Sequence, residues 1–178
     1  FSDVDKFTGQ MTPSNLLNCI KINKIKKVKV FFVMHNGGFN NFAKEFYKIK
    51  KKLKCLIIED ACHALGANNS RKKKDLVGNC KYSDLTTFSF HPLKTITTGE
   101  GGMTTTNNLN YYNLMCQYRN HGFALKKKQK GYIREHKLNF CGYNFRLTDF
   151  QCYLGISQLK KINLFVNKRN DLAKYYFK

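Results

Sequence analysis

Two short apolar runs separated by an amphipathic segment constrain the fold of this chain most strongly. The first run covers residues 28–34 and is rich in β-branched and aromatic residues, and the second covers residues 56–58. Residues 40–52 lie between them and carry their apolar side chains at helical spacing. Because a strand, a helix and a second strand in this order are typical of a parallel α/β sheet, we expect that fold class.

Two more strands are predicted further along the chain. Residues 85–90 form the third strand, which must end at His91 and Pro92 because proline cannot donate a ladder hydrogen bond. Residues 103–106 form a short fourth strand, a hairpin partner of the third. We expect a mostly parallel mixed sheet with one antiparallel strand.

Helices are predicted at three other places. Thr12 is an N-cap residue with proline directly after it. Residues 108–119 form a helix whose inward face carries Leu109, Tyr112, Met115 and Cys116. Thr148 opens a further helix through a capping box, and the residues after that helix form a second, basic one.

Polar residues follow the first two strands, where an α/β sheet binds its ligands. His35 follows the first strand, and Asp60 and His63 follow the second. Asp60 either caps a loop or pairs with a ligand cation, a metal or a ring nitrogen. His63 is a lone histidine with no second His or Asp at metal-ligand spacing, so we predict no metal site.

One lysine stands apart from the lysine clusters of the chain. Lys94 follows the third strand, has uncharged neighbours, and precedes a glycine-rich segment at residues 99–102. Spacing alone leaves two interpretations, an ordinary turn lysine or a desolvated nucleophile. The glycines lack the ending of a P-loop and do not open a helix as a dinucleotide-binding fingerprint does.

Charge suggests a second class of function. The 178 residues carry a formal net charge of +21, with lysine clusters at residues 48–54, 71–74 and 126–130. No zinc-finger, RRM or KH signature accompanies them. We interpret the charge as surface composition and keep a basic nucleic-acid-binding module as an alternative.

Cysteine usage and hydropathy bear on the compartment. The seven cysteines are odd in number, scattered and never spaced C-x-x-C, which indicates reduced cytosolic thiols. No apolar run is long enough to span a bilayer, and the acidic start does not resemble a signal peptide. We therefore expect a cytoplasmic protein without a membrane partner.

Three separated motifs resemble those of the DegT/DnrJ/EryC1/StrS family of nucleotide-sugar aminotransferases. Residues 58–67 read Ile-Glu-Asp-Ala-Cys-His-Ala-Leu-Gly-Ala, and residues 88–94 read Phe-Ser-Phe-His-Pro-Leu-Lys, running on through the glycines to residue 103. Residues 142–149 read Gly-Tyr-Asn-Phe-Arg-Leu-Thr-Asp. The resemblance implies the large domain of a fold-type-I transferase that uses pyridoxal 5′-phosphate (PLP), truncated at both ends.

The resemblance also implies a role for each residue that matches a motif. Lys94 would bond to PLP and move the proton during catalysis, and Asp60 would pair with the pyridinium nitrogen. His63 would pack on the ring face, and Ser89 would hydrogen-bond the phosphate. Asn144 would reach the phosphate of the neighbouring subunit's cofactor, which implies a homodimer with a shared active site.

The reaction that the resemblance implies is transamination. Glutamate would donate the amino group to the C4 keto group of a nucleotide-linked 4-keto-6-deoxy sugar, for cell-surface polysaccharide or flagellin glycan synthesis. Residues 91–94 are similar to the subgroup acting on UDP-N-acetylhexosamine derivatives in pseudaminic acid synthesis. Lys94 disfavours the dehydratase branch of the family, which has histidine at this position. Arg146 would contact substrate. A PLP-binding regulatory homologue without transaminase activity is the alternative with the same fold.

The extent of the resemblance predicts the place of this chain in a family member. Family members are roughly twice as long, so residues 1–178 would be the central part of the PLP-binding large domain. Residues 147–178 would be the helices that lead toward a C-terminal domain. We expect these residues alone to bind PLP poorly, because an upstream segment would supply more phosphate-binding groups.

Overall fold

The computed structural model of this protein describes residues 1–40, 42–69, 75–124 and 137–177. The lysine clusters at residues 71–74 and 126–130 lie outside the described residues. The elements, in chain order, are α1 Pro13–Ile22, β1 Val30–Met34, a 3-10 turn Asn36–Gly38, α2 Ala43–Leu53, β2 Leu56–Asp60, β3 Leu85–Ser89, β4 Gly102–Thr105, α3 Leu109–Arg119, α4 Asp149–Leu159 and α5 Ile162–Tyr176.

The four strands form one mixed sheet in the order β1-β2-β3-β4. The first three are parallel, with Met34 beside Asp60 and Asp60 beside Thr87. Strand β4 runs antiparallel to β3 and places Gly102 beside Ser89. The predicted mostly parallel mixed sheet is confirmed, and its three parallel strands bring their carboxyl ends to one edge.

Local signals set the helix starts as predicted. Thr12 caps α1 by accepting a hydrogen bond from the Asn15 backbone, and Pro13 opens the helix. Thr148 caps α4 in the same way, and the Gln151 side chain accepts a hydrogen bond from the Thr148 backbone. Both capping boxes satisfy N–H groups that a helix start leaves unpaired.

Two apolar clusters hold the sheet and its helices together. Helices α1 and α2 cover strands β1 and β2, and the buried residues of that cluster are Leu16, Phe31, Val33, Phe46, Cys55 and Ile57. The second cluster lies beside β3, and its buried residues are Ala61, Ala64, Val77, Phe88, Phe90 and Ile96. Ile162 and Phe165 of α5 pack against the second cluster, so α5 is anchored next to the ends of β2 and β3.

The inward face predicted for α3 is wrong at Leu109 and Tyr112, whereas Met115 and Cys116 are half-buried. Leu109 and Tyr112 are 70% and 55% exposed, and α3 contains no buried residue. The segment is helical as predicted, but the face that carries these two side chains stays largely uncovered by the described part of the chain. Phe150, Ile156 and Leu159 of α4 are also exposed. No helix among the described residues is both long and apolar enough to cross a membrane.

Candidate active site

Asp60 ends β2 and is held by the loop that follows it. Its Oδ1 accepts a hydrogen bond from the Cys62 backbone N–H at 3.1 Å. Its own carbonyl accepts from the His35 N–H at 2.9 Å, which joins the ends of β1 and β2. The side chain is half-buried. These two hydrogen bonds hold the side chain and the backbone of Asp60 at the ligand-binding edge of the sheet.

His63 lies one short turn beyond Asp60 and is exposed. Its Nδ1 accepts a hydrogen bond from the Gly37 N–H at 3.2 Å. Gly37 belongs to the 3-10 turn after β1, so the end of one strand orients a side chain that follows the next strand.

Lys94 lies in a tight excursion between β3 and β4. Phe90 begins the excursion by pairing with Gly101, and the Lys94 N–H donates to the His91 carbonyl at 2.9 Å. The Lys94 carbonyl accepts a hydrogen bond from Nη2 of Arg169 at 3.0 Å. The half-buried lysine is thus held on one side by its own turn and on the other by α5.

Ser89 ends β3, and its Oγ accepts a hydrogen bond from the His91 N–H at 3.3 Å. Its strand partner is Gly102, where an added Cβ would lie 2.6 Å from the Phe88 carbonyl oxygen. The glycine is required at that position because the two backbones approach too closely for any side chain.

The fold brings four of the predicted site residues to one edge of the sheet. Asp60 and Ser89 end neighbouring parallel strands, and the Ala61 N–H donates to the Thr87 carbonyl across them at 2.8 Å. His63 and Lys94 lie on the loops that follow these strands. Asp60 and Lys94 act on the pKa of the Cys62 thiol in opposite directions, since the Asp60 carboxylate raises it and the Lys94 charge lowers it.

Asn144 and Arg146 belong to a different segment. Asn144 pairs with Asn120 as an isolated antiparallel bridge, and Nη1 of Arg146 donates to the Asn120 side chain at 2.6 Å. Both residues are exposed, and their described contacts run to the end of α3. The structure therefore does not bring them into contact with Lys94 within this chain.

Sequence reasoning missed a buried polar network on the opposite face of β2. Glu59 is 4% exposed, and its Oε2 accepts hydrogen bonds from Thr86 Oγ1 at 2.6 Å and Ser83 Oγ at 2.8 Å. His35 is 2% exposed, and its Nε2 lies 3.4 Å from Oε1 of Glu59. Among the described residues His35 Nε2 has no hydrogen-bond partner, so this contact is a close approach of two buried polar groups rather than a hydrogen bond.

Opposing effects act on the pKa of Glu59. Burial raises it, whereas His35, Thr86 and Ser83 stabilise the carboxylate and together hold the pKa below its usual value. One signal of this network was in the sequence, since Glu59 shares the inward strand face with Ile57.

Cys62 is predicted to react slowly with alkylating reagents. Burial, followed by its hydrogen bond and charge interaction with Asp60, raises the pKa of this thiol to about 11. Since the thiolate is the nucleophile, the alkylation rate at Cys62 should still be rising at about pH 10. Peptide mass spectrometry of iodoacetamide-treated protein measures that rate. A rate that levels off near the ordinary thiol pKa, about 8.5, would contradict the environment described for Asp60.

No group of three or more His, Cys, Asp or Glu side chains that could hold a metal ion occurs among the described residues. All seven cysteines are free.

The family model of the DegT/DnrJ/EryC1/StrS aminotransferases matches residues 1–178. The chain belongs to this family. Its members include PLP-dependent transaminases, and solved aminotransferases of the family share the mixed sheet with flanking helices described above.

Relatives with assigned names include nucleotide-sugar enzymes. A UDP-4-amino-4,6-dideoxy-N-acetyl-beta-L-altrosamine transaminase from Campylobacter jejuni is 38% identical over 146 residues, which cover 82% of this chain and 36% of the relative. A GDP-perosamine synthase from Escherichia coli O157:H7 is 31% identical over 178 residues, covering 100% of this chain and 44% of the relative.

The solved structure of Helicobacter pylori PseC, an aminotransferase of pseudaminic acid biosynthesis, superposes with a TM-score of 0.82 at 31% identity. The match covers 99% of this chain and 43% of PseC. The fold-type-I class predicted from the motifs is confirmed. This chain spans less than half the length of each of these three proteins.

Proposed function

We propose that this chain is the cofactor-binding part of an aminotransferase that moves the amino group of glutamate to a nucleotide-linked 4-keto-6-deoxy sugar. Glutamate becomes 2-oxoglutarate, and the C4 keto group becomes an amine. The similarity to the Campylobacter jejuni and Helicobacter pylori proteins favours a UDP-N-acetylhexosamine derivative as the acceptor.

The observation that carries this proposal is the set of side chains at the carboxyl edge of β2 and β3. A carboxylate, an imidazole, a hydroxyl and an amine lie there on Asp60, His63, Ser89 and Lys94. Their chemistry fits the pyridine nitrogen, the ring face, the phosphate and the aldehyde of PLP. When bound, PLP supplies an electron sink for the carbon that loses or gains a proton.

Each of these side chains has one task in the proposed reaction. Lys94 would hold the cofactor covalently, and its Nζ would take the proton from Cα of glutamate and deliver a proton to C4 of the sugar. Asp60 would keep a proton on the pyridine nitrogen by presenting a carboxylate to it. The Ser89 hydroxyl would donate to the phosphate, and His63 would pack on the ring.

A homodimer with a shared site accounts for the segment that carries Asn144 and Arg146. Asn144 would reach the partner's cofactor phosphate, and Arg146 would contact one of the two substrates, glutamate or the sugar. Exposed aromatic side chains support a protein partner at this surface. Tyr143 and Phe145 stack with ring centroids 4.8 Å apart while each remains more than half exposed, and Phe150 on α4 is 89% exposed.

The test combines full-length protein, PLP, glutamate and a UDP-linked 4-keto-6-deoxy sugar, with the GDP-linked sugar in a parallel reaction. We expect a visible cofactor band, 2-oxoglutarate from glutamate, and a 4-amino sugar identified by mass. A band without amino transfer would support the regulatory homologue. Tight, salt-sensitive DNA binding by protein that shows no cofactor band would instead support the nucleic-acid-binding module.

A further inference from the structure

The turn Asn36–Gly38 lies between His35, which directly follows β1, and His63, which lies in the loop after β2. It lies directly after β1, and Gly37 and Gly38 both have positive φ, at 64° and 83°. Through Gly37 and Gly38 the turn connects the end of β1 to the loop that follows β2, because both glycines approach His63.

The turn is anchored at its start by buried groups. The His35 N–H donates to the Asp60 carbonyl at 2.9 Å, and the His35 side chain lies against Glu59. On the other side, Nε2 of the buried Gln10 donates to the Asn36 carbonyl at 2.8 Å. These contacts hold the turn on both sides, so its remaining N–H groups have defined directions.

The far end of the turn packs on the backbone of His63. A Cβ added to Gly38 would lie 2.8 Å from the His63 carbonyl oxygen, whereas a Cβ added to Gly37 would meet nothing within 4 Å. The Gly37 N–H then reaches Nδ1 of His63 at 3.2 Å. Because an N–H donor needs a lone pair, Nδ1 must be unprotonated, and the proton of the neutral ring lies on Nε2.

We propose that this turn and His35, which precedes it, form a positioning element: His35 holds the strand end of Asp60, and the turn locks His63 in the Nε2–H form. Its role toward PLP rests on the proposed function, whereas the lock on His63 is a property of the protein alone. Gly38 is the residue on which the lock depends, since it allows the close approach to the His63 backbone.

Two glycine variants separate the lock from ordinary backbone strain. Gly37→Ala and Gly38→Ala both place a side chain at positive φ, but only the Gly38 substitution collides with the His63 carbonyl. Gly37→Ala also keeps the N–H that reaches His63. We expect Gly38→Ala to weaken PLP binding roughly tenfold or more relative to Gly37→Ala, as when partners that orient a binding side chain are lost.

The direct readout is the tautomer of His63 in full-length protein labelled with ¹⁵N-histidine, with His63→Gln assigning the signals. We expect Nδ1 to appear as an unprotonated acceptor and Nε2 as protonated in the native protein and in Gly37→Ala. We expect averaged or reversed signals in Gly38→Ala. A mixed or reversed tautomer in the native protein, or equal behaviour of the two alanine variants, would overturn the proposal.

The two proposals fail in different ways. If the native protein binds no PLP, the proposed function is wrong while the native tautomer still decides whether the lock exists. If PLP binds but the native His63 is not locked, only this inference is lost. Should Gly38→Ala not fold, the ratio of the two tautomers in the native protein decides, because free histidine already favours the Nε2–H form. An Nδ1–H population as large as that of a free histidine peptide in the same buffer would overturn the lock.

Discussion

Lys94→Ala should abolish amino transfer, with a rate loss of at least about 10³-fold. The lysine would supply both the covalent attachment and the base that moves the proton, and alanine supplies neither. Lys94→Arg should lose as much, because a guanidinium keeps the positive charge but cannot give up its proton at neutral pH. Stopped assays of 2-oxoglutarate formation in the full-length protein measure the loss.

A matched control for this substitution is Lys81→Ala. Lys81 is exposed and precedes β3, at the end of that strand opposite to Lys94. We expect it to keep the native rate and the visible cofactor band. Thermal unfolding of all three variants separates a lost reaction from a lost fold. A Lys94→Ala variant that retains more than a tenth of the native rate would show that another residue does the chemistry.

Glu59→Ala should lower the free energy of unfolding by at least about 2 kcal/mol, because each buried polar group left without its partner costs about 1–3 kcal/mol. The substitution removes the acceptor of the Ser83 and Thr86 hydroxyls and leaves His35 without its carboxylate. Urea unfolding at neutral pH measures the loss. Glu45→Ala, at an exposed position of α2, is the control and should stay within about 0.5 kcal/mol.

The pH dependence of stability identifies the carboxylate as the cause. The pKa of Glu59 is lower in the folded protein than its usual 4.5, so the unfolded state binds the proton more readily. The contribution of Glu59 is therefore present above about pH 4.5 and is lost as the pH falls through the folded value. Glu59→Gln should flatten that acid loss. This role would be contradicted if Glu59→Gln lost stability at acid pH as steeply as the native protein does. Equal stability of the Glu59→Ala and Glu45→Ala variants would also contradict it.

The hydrophobic pattern predicted the sheet because each strand can be recognised from its own residues alone. Residues 56–58 and 85–90 are apolar or β-branched and end in polar groups, so the edge with Asp60 and Ser89 followed from strand direction alone. The inward face of α3 could not be predicted in the same way. Helical spacing shows that a stripe exists, but it does not say whether anything in the chain covers it.

Contacts between distant segments were beyond sequence reasoning for a related reason. The partners of Glu59 come from the end of β1 and from the residues around the start of β3, and their meeting depends on strand register. Arg169 lies 75 residues from Lys94 and reaches its carbonyl only because α5 packs beside the ends of β2 and β3. Neither contact leaves a periodic pattern, although a glutamate alternating with Ile57 inside a strand is a usable signal of a buried network.

The proposed site depends on Lys94, alone among the lysines, holding PLP. Borohydride reduction of the full-length protein loaded with PLP, followed by proteolysis and mass spectrometry, makes the linkage permanent and locates it. We predict the added cofactor mass on the peptide that contains Lys94, and none after the Lys94→Ala substitution. Cofactor mass on a different lysine, or no labelled peptide from protein that transfers amino groups, would contradict the assignment of Lys94.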